Sequence, residues 1–289
     1  MTRRVAVAGA LLWAVATPAT AQSLAYEGGL GFTTGRYIFT TRTTSWSLTT
    51  GLALQVDRLT LRASLPVWLQ NSTVVTAGGT TGIPSGGSSG GTVSDSGKSR
   101  QGRGSGRGTM VTPALAQAGP VEVPASAFTD YRAAVGDPLF GATLQLLAGS
   151  RLSLSIGGNV KAPVADTSTF GTGQWDVGGS LSLGLQLGPR TLLGLDGAWW
   201  RLGDLPDLDF SNPVSGSLSL SQLLGTGGWG GYVFGRGSTT ALAGFDGPLQ
   251  VGAGLSRFGG RGGVGLEAAA GLSETAPDLS LGLFWRVRI

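Results

Sequence analysis

The fold is decided by residues 175–187, which read Trp-Asp-Val-Gly-Gly-Ser-Leu-Ser-Leu-Gly-Leu-Gln-Leu. Apolar side chains occupy almost every odd position, while Asp, Gly, Ser and Gln fill the even ones. Successive side chains of a β-strand point to opposite faces, so this alternation predicts a strand with one apolar and one polar face. Gly188-Pro189-Arg190 interrupts the pattern as a tight turn, and residues 191–200 repeat it on the return leg.

Two folds place such a hairpin between an apolar and a polar environment. In a soluble sandwich the apolar face is the core, whereas in a transmembrane barrel it meets lipid and the polar face lines a lumen. Both legs are long enough for the roughly 9–11 residues that cross a bilayer, while strands of globular proteins average about 5–6. The polar face also has few of the Lys and Glu side chains that stop soluble sheets from pairing edge to edge. Length and polarity therefore favour the barrel.

The composition agrees with a membrane barrel. Only 12% of the 289 residues are charged and the mean hydropathy is +0.18, whereas soluble domains carry about 25% charged residues. After the first residues no apolar run reaches the ~18 that a helical span needs. The net charge of +4 is too small to indicate binding to nucleic acid.

The residue types exclude several kinds of enzyme. The chain has no cysteine and no histidine, so disulfides, thiolate metal sites and histidine-dependent nucleophilic catalysis are impossible. Asp204, Asp207 and Asp209 lie close together in sequence, but aspartates in a proline-containing loop are more often turn residues. We therefore expect a protein without catalytic activity, cofactor or bound metal.

Residues 1–21 have the features of a cleaved secretory signal peptide. Arg3 and Arg4 form the positive region, residues 5–15 the apolar core, and Ala19-Thr20-Ala21 the small-residue cleavage site. A buried N-terminal helix is the alternative, but Pro18 and the cleavage pattern argue against it. We expect an exported chain whose residues 22–289 form the barrel.

Twelve segments repeat the alternation. They are residues 24–34, 45–56, 59–70, 134–147, 152–162, 175–187, 191–200, 214–224, 229–236, 249–257, 263–273 and 279–289. Placing the polar face of residues 59–70 outward would put Arg62 at mid-membrane, at a cost of roughly 2–4 kcal/mol, so the apolar face points to lipid. Every second connection is short, as in outer-membrane barrels with short periplasmic turns and longer extracellular loops. The sequence predicts an antiparallel up-and-down barrel of about twelve strands in the bacterial outer membrane.

The longest connection, residues 71–129, differs from the rest. Its Gly/Ser/Thr tract, residues 77–109, cannot bury a core and is expected to form a mobile extracellular loop. Lys98, Arg100, Arg103 and Arg107 make it basic. Two alternatives remain open: the loop binds anionic lipopolysaccharide, or it folds partly into the lumen.

Four short motifs resemble one family. They are Leu65-Pro66-Val67, Gly136-Asp137-Pro138, Val160-Lys161-Ala162-Pro163 and the segment 170–176, Phe-Gly-Thr-Gly-Gln-Trp-Asp. Together they resemble the transporter-like outer-membrane barrels of the "MetA pathway of phenol degradation" family, over most of residues 24–289 apart from the long insertion. The resemblance implies a barrel of about twelve strands and a role in uptake of hydrophobic or aromatic compounds.

The chain ends on a strand that alternates to its last residue. Residues 281–289 resemble the assembly signal of outer-membrane proteins, although that signal usually ends in Phe and this chain ends in Ile289. The barrel-assembly machinery is thus an expected partner during biogenesis, with outer-membrane lipid and lipopolysaccharide as partners of the folded barrel. Trp175, Trp199 and Trp285 near strand ends are expected to lie in interfacial aromatic girdles, with burial in a core as the alternative.

A twelve-stranded barrel lies between small barrels filled by side chains and wide porins, and inward Ser and Gly leave space. We therefore expect a passive channel or transporter for small solutes. The alternative is a structural or adhesive barrel with a plugged lumen that acts through its extracellular loops. The expected lumen-facing charges either set selectivity or pair and stabilise the wall: Arg62, Lys161, Asp176, Asp196, Glu267, Arg286 and Arg288, together with Glu27.

Overall fold

The computed structural model describes residues 22–37, 42–71, 73–74, 84–85, 131–166, 173–203, 211–241 and 245–289. The predictions for the leader (residues 1–21), for most of the segment 71–129 and for the aspartates at 204–209 lie outside these ranges. Among the described residues, no helix is long and apolar enough to cross a membrane.

The described chain consists of antiparallel strands. Thirteen of them form one sheet: β1 (Gln22–Gly35), β2 (Thr43–Val56), β3 (Leu59–Gln70), β6 (Arg132–Val135), β7 (Leu139–Ala148), β8 (Leu152–Lys161), β9 (Asp176–Gly188), β10 (Thr191–Arg201), β11 (Val214–Leu224), β12 (Trp229–Ser238), β13 (Leu249–Gly259), β14 (Gly262–Gly271) and β15 (Leu279–Arg288). Two short strands, β4 (Thr73–Val74) and β5 (Pro84–Ser85), pair only with each other.

The large sheet closes on itself. From β7 onward each strand pairs with the next, β15 pairs with β1, and β1 continues through β2 to β3 and back to β7. Antiparallel neighbours in sequence order make this an up-and-down barrel, as predicted from the alternation. Apart from the short β6, which pairs with β3 alone, every strand of this sheet has a neighbour on both sides, so the twelve long strands present no free edge to lipid.

One predicted strand is broken in the structure. Residues 134–147 were expected to run continuously, but β6 and β7 are separate and pair with different halves of β3. The break is Gly136-Asp137-Pro138, because Pro138 has no N–H for a ladder hydrogen bond. Gly136 donates its N–H to the Pro66 carbonyl at 2.8 Å, which keeps the broken strand against β3. Because β6 and β7 together occupy one strand position, the barrel has twelve strand positions around its circumference.

The outer surface of the barrel is apolar. Leu195 lies opposite Leu183, which in turn lies opposite Leu154, and such rows continue around the sheet. Trp199 and Leu181 leave 46% and 52% of their surface uncovered, although both are large and apolar. A water-soluble protein rarely exposes so much contiguous apolar surface. The exterior is therefore the lipid-facing band of a transmembrane barrel.

Short and long connections between strands lie at opposite ends of the barrel, as expected. Tight turns at 57–58, 189–190, 225–228 and 260–261 all lie at the end that holds the start of β1 and the end of β15. Gly228 has a φ of 72°, and a Cβ there would overlap the Phe258 carbonyl. The longer connections lie at the opposite end, which is the extracellular end by the rule for outer-membrane barrels.

Candidate functional site

The barrel encloses a cavity of about 950 Å³. Small hydroxyl side chains from β9 and β11 form one part of its wall, namely Ser180, Ser182, Ser215, Ser217 and Ser219. Tyr232, Phe234 and Arg236 of β12 form another, and Asp196 and Glu267 also face it. The wall therefore combines polar hydroxyls, aromatic rings and a few charges.

Aromatic side chains of the inner wall lie across glycines of the neighbouring strand. Tyr232 pairs in register with Gly254, and Phe234 with Gly252. A Cβ on either glycine would come closer than 3.0 Å to the ring that covers it. Phe284 covers Gly265 and Trp200 covers Gly178 in the same way. Each ring thus occupies the space that a side chain on the facing glycine would fill.

Tyr232, Phe234 and Arg236 join Glu267 and Gln250 in one inner-wall cluster. Arg236 donates to Gln250 Oε1 at 2.7 Å and lies 3.4 Å from Glu267 Oε1, and Tyr232 donates to Glu267 Oε2 at 3.3 Å. The Arg236 guanidinium lies 5.1 Å from the centre of the Phe234 ring, within cation–π range. Because both members of the Arg236–Glu267 pair are about a quarter exposed, the cluster offers the solvent a ring surface and a largely balanced charge.

A second charged cluster lies on β1, β3 and β15. Glu27 is shared by Arg62 Nε at 3.3 Å and Arg286 Nη1 at 3.2 Å. Both arginines are more than two-fifths exposed, and Arg288 is exposed two residues further along β15. One carboxylate between two guanidiniums leaves this wall with excess positive charge.

Asp196 of β10 lies in the serine part of the wall. Its Oδ2 accepts a hydrogen bond from Ser217 Oγ at 3.1 Å, and the side chain is exposed to the cavity. The neutral Ser217 hydroxyl therefore binds the Asp196 carboxylate without cancelling its charge.

Lys161 and Asp176, also expected to face the lumen, are buried instead. The Lys161 ammonium lies 2.7 Å from Asp176 Oδ2 and 3.3 Å from Asp137 Oδ2, with side-chain exposures of 0%, 4% and 1%. Asp137 Oδ1 accepts from the backbone N–H groups of Val164 and Ala165 at 3.0 and 2.9 Å. Asp176 Oδ1 accepts from Gly203 N at 3.0 Å. This buried ion cluster joins the loop ends of β7, β8, β9 and β10 and does not line the cavity.

The extracellular rim holds a further buried group, Tyr37. Its hydroxyl donates to Thr33 Oγ1 at 3.3 Å. Burial raises the pKa of Tyr37 to about 12, the hydrogen bond to Thr33 opposes the rise, and the nearby negative charge of Asp278 adds to it. Asp278 is itself paired with Arg42 at 2.9 Å, which links the loops after β1 and β14.

The sequence pattern left some site residues out. Arg236 is not among the expected lumen-facing charges, although it ends the predicted segment 229–236 and continues the alternation of Tyr232 and Phe234 on β12. Asp137 was read only as part of a motif. Among the described residues, no group of three or more acidic, His or Cys side chains could hold a metal ion.

Comparison with known proteins identifies the fold. No family model and no curated protein matches the chain. An outer membrane channel from Pseudomonas putida F1 is similar in structure, with a TM-score of 0.61 and 14% sequence identity over 95% of this chain and 97% of that one. The chain therefore has the fold of an outer-membrane channel, and with its apolar exterior it is a barrel of the bacterial outer membrane.

More distant likenesses accompany this one. The CymD monoaromatic hydrocarbon channel aligns over 92% of this chain and 87% of that chain, with 9% identity and a TM-score of 0.42. OccK7 (OpdD) of Pseudomonas aeruginosa aligns over 93% of this chain and 99% of that chain, with 9% identity and a TM-score of 0.36.

Proposed function

We propose that the barrel is a passive channel for small solutes, with hydrophobic or aromatic compounds as the class it admits. The observation that carries this proposal is the open cavity whose aromatic rings rest on glycines. Had Tyr232 or Phe234 faced a larger side chain across the strand, its ring would extend toward the barrel axis and narrow the path. The glycines keep the path open and leave one face of each ring to the solute.

The chemistry of this wall suits transient contacts. Stacking of two aromatic rings is worth roughly 0.5–1.5 kcal/mol beyond area burial. Conduction needs contacts that attract a solute yet release it, and several weak ring contacts meet that condition. The motif resemblance to the "MetA pathway of phenol degradation" barrels points to the same class of solute. Passage would follow the concentration gradient.

Partners follow from the two surfaces of the barrel. The apolar exterior would contact outer-membrane lipid, and the extracellular rim lipopolysaccharide. The alternating strand β15 would be recognised by the barrel-assembly machinery during insertion.

A structural or adhesive barrel is the alternative, because side chains crowd the extracellular end of the cavity. Tyr37, Gln70 and Thr275 line it there and are at most 7% exposed. In that case the lumen would be closed and the extracellular loops would carry the function.

Bilayer recordings of the refolded protein distinguish the two. Folded barrel is first verified by its heat-modifiable migration on a gel and then inserted into planar bilayers and liposomes. A channel gives stepwise conductance and, after subtraction of the influx into protein-free liposomes, admits the aromatic solute phenylalanine faster than a sugar of similar size. Fully folded, inserted protein that carries no current and admits neither solute would refute the channel and support the plugged barrel.

A further inference from the structure

Charges of opposite sign lie on opposite walls of the lumen. Around the ring, β10 is the sixth strand from β1 in both directions when β6 and β7 count as one. Asp196 of β10 therefore faces the wall that carries Glu27, Arg62, Arg286 and Arg288.

The two sets also lie at similar depth. β1 begins at Gln22 and β10 at Thr191, both at the end with the tight turns. Glu27 and Asp196 are each the fifth residue after those starts. Since strands of one closed sheet rise at nearly the same rate per residue, the two carboxylates lie at nearly the same height.

The arginine wall keeps a positive excess at this depth. Glu27 is in contact with Arg62 and Arg286 and can balance only one of them, and Arg288 adds another positive charge. Small residues lie between the arginines in register: Ala25 opposite Arg288 and Ala53 opposite Arg62, both almost fully buried. The guanidinium groups and the Glu27 carboxylate are therefore the polar groups of this part of the inner wall, which lies on the tight-turn side of Gly29 and Gly31, the glycines of β1 that line the cavity.

The facing strands, β9 to β11, carry one negative charge at mid-depth, and the paired Arg236 of β12 and Glu267 of β14 beside them add no net charge. Asp176 and Arg201, the other charged residues of β9 to β11, lie at the extracellular ends of their strands. Asp196 is therefore the one charge in the middle of these three strands, all of which the structure describes over their full length. Its only hydrogen-bonding neighbour there is the neutral hydroxyl of Ser217.

A field between these walls can act across the lumen. Twelve strands spaced about 4.8 Å apart and tilted by about 40° give a backbone diameter of roughly 24 Å, which inward side chains reduce to roughly 10–15 Å. The Debye length is about 30 Å at 0.01 M salt and about 3 Å at 1 M. The field therefore spans the lumen at low salt and is screened at high salt.

We propose that these opposed charges make the channel selective for small organic anions, whose carboxylate passes along Arg62 and Arg286 while Asp196 repels it from the other wall. The proposal rests on the proposed channel function and adds the class of solute. An aromatic carboxylate would meet the rings of β12 and the arginines of β3 and β15 within one lumen.

Paired solute fluxes test this selectivity. Liposomes that contain the folded channel are loaded at about 0.01 M salt, and influx of benzoate is compared with influx of phenylalanine, an aromatic solute without net charge, each after subtraction of the influx into protein-free liposomes. The wild type favours benzoate. Combining Arg62→Gln with Arg286→Gln lowers the benzoate preference by about twofold or more, and Asp196→Asn raises it, because each change alters the charge that the carboxylate meets.

Arg257→Gln is the matched control. Arg257 lies over the Trp229 ring on the outer face, so this variant removes the same charge from the exterior and leaves the preference unchanged. At 1 M salt the differences between variants shrink, as screening requires.

The outcomes separate the two proposals. A channel that admits phenylalanine above the protein-free influx but shows the same benzoate preference in all variants overturns the charge selectivity and leaves the channel function standing. A fall in benzoate preference with Asp196→Asn would overturn the assignment of the walls. Folded protein that admits neither solute overturns both proposals.

Discussion

The ammonium of Lys161 lies 2.7 Å from a carboxylate oxygen of Asp176, and both side chains are buried at the extracellular end of their strands. Asp137 joins them from the break between β6 and β7. Three motifs that are separate in sequence, those around Asp137, Lys161 and Asp176, therefore meet at one point. Removing the central cation would leave two carboxylates facing each other in a buried site.

Lys161→Met is expected to destabilise the barrel strongly. Breaking a buried ion pair by removing one partner costs about 3–5 kcal/mol, because an uncompensated charge stays buried. Urea unfolding in detergent micelles, followed by tryptophan fluorescence, measures the loss. Combining the change with Asp137→Asn and Asp176→Asn removes every charge of the cluster and is expected to restore much of the stability. A Lys161→Met protein as stable as the wild type would contradict the role given to this cluster.

Gly254→Ala is expected to reduce single-channel conductance. The new Cβ would overlap the Tyr232 ring and push it toward the lumen axis, with an overpacking cost of about 1–3 kcal/mol. Gly230→Ala is the control on the neighbouring strand, because a Cβ there comes no nearer than 3.4 Å to Ser256 Oγ. Bilayer recordings compare the two variants. Equal conductance in both would show that the Tyr232 ring does not border the path.

Leu183→Arg is expected to block insertion, whereas Ser182→Arg is tolerated. Leu183 pairs with Leu195 and Leu154 on the lipid face, and an arginine at mid-membrane costs roughly 2–4 kcal/mol. Ser182 lines the cavity, where water can solvate the guanidinium. The folded fraction after refolding into vesicles is read from heat-modifiable migration. The reverse order of folded fractions would refute the facing of β9.

Tyr37 is expected to make the barrel sensitive to high pH. Its pKa is raised to about 12 in the folded state, from 10.0 for an ordinary tyrosine. The folded state therefore resists ionisation that the unfolded chain undergoes, so the stabilisation is complete below pH 10 and is lost as the pH rises toward 12, by about 2–3 kcal/mol in all. Unfolding measured from pH 9 to 12 should show a steeper loss in the wild type than in Tyr37→Phe. Parallel curves would contradict the burial of this hydroxyl.

The strands could be predicted from sequence because their signal is local. In residues 175–187 the period of two is visible without knowledge of any neighbour, and it gives both the strand and the facing of residues such as Leu183 and Ser182. The tight turns follow from the same pattern, since they are where it stops. The structure confirms the barrel of twelve strand positions. It differs from the prediction in the segment 134–147, where Pro138 interrupts the hydrogen-bond ladder of an otherwise regular strand.

The buried ion cluster could not be predicted in this way. Alternation tells which face of a strand Lys161 occupies, but not whether that face is open to water or covered at that height. Coverage depends on the register between strands and on the loops after β8 and β10, whose backbone N–H groups bind Asp137 and Asp176. Arg236 was missed for a different reason: the glycines on both sides of it weaken the apolar half of the pattern.

The pairing of β1 with β15 has a consequence for biogenesis. Its register, from Ala25–Arg288 to Thr34–Leu279, joins the earliest and latest strands of the sheet. The barrel can close only after residue 288 has been synthesised. A shorter nascent chain therefore leaves the backbone groups of its two edge strands unpaired. Unpaired edge strands readily pair with other polypeptides and aggregate. We therefore expect the chain to depend on a chaperone that keeps it unpaired between ribosome and bilayer.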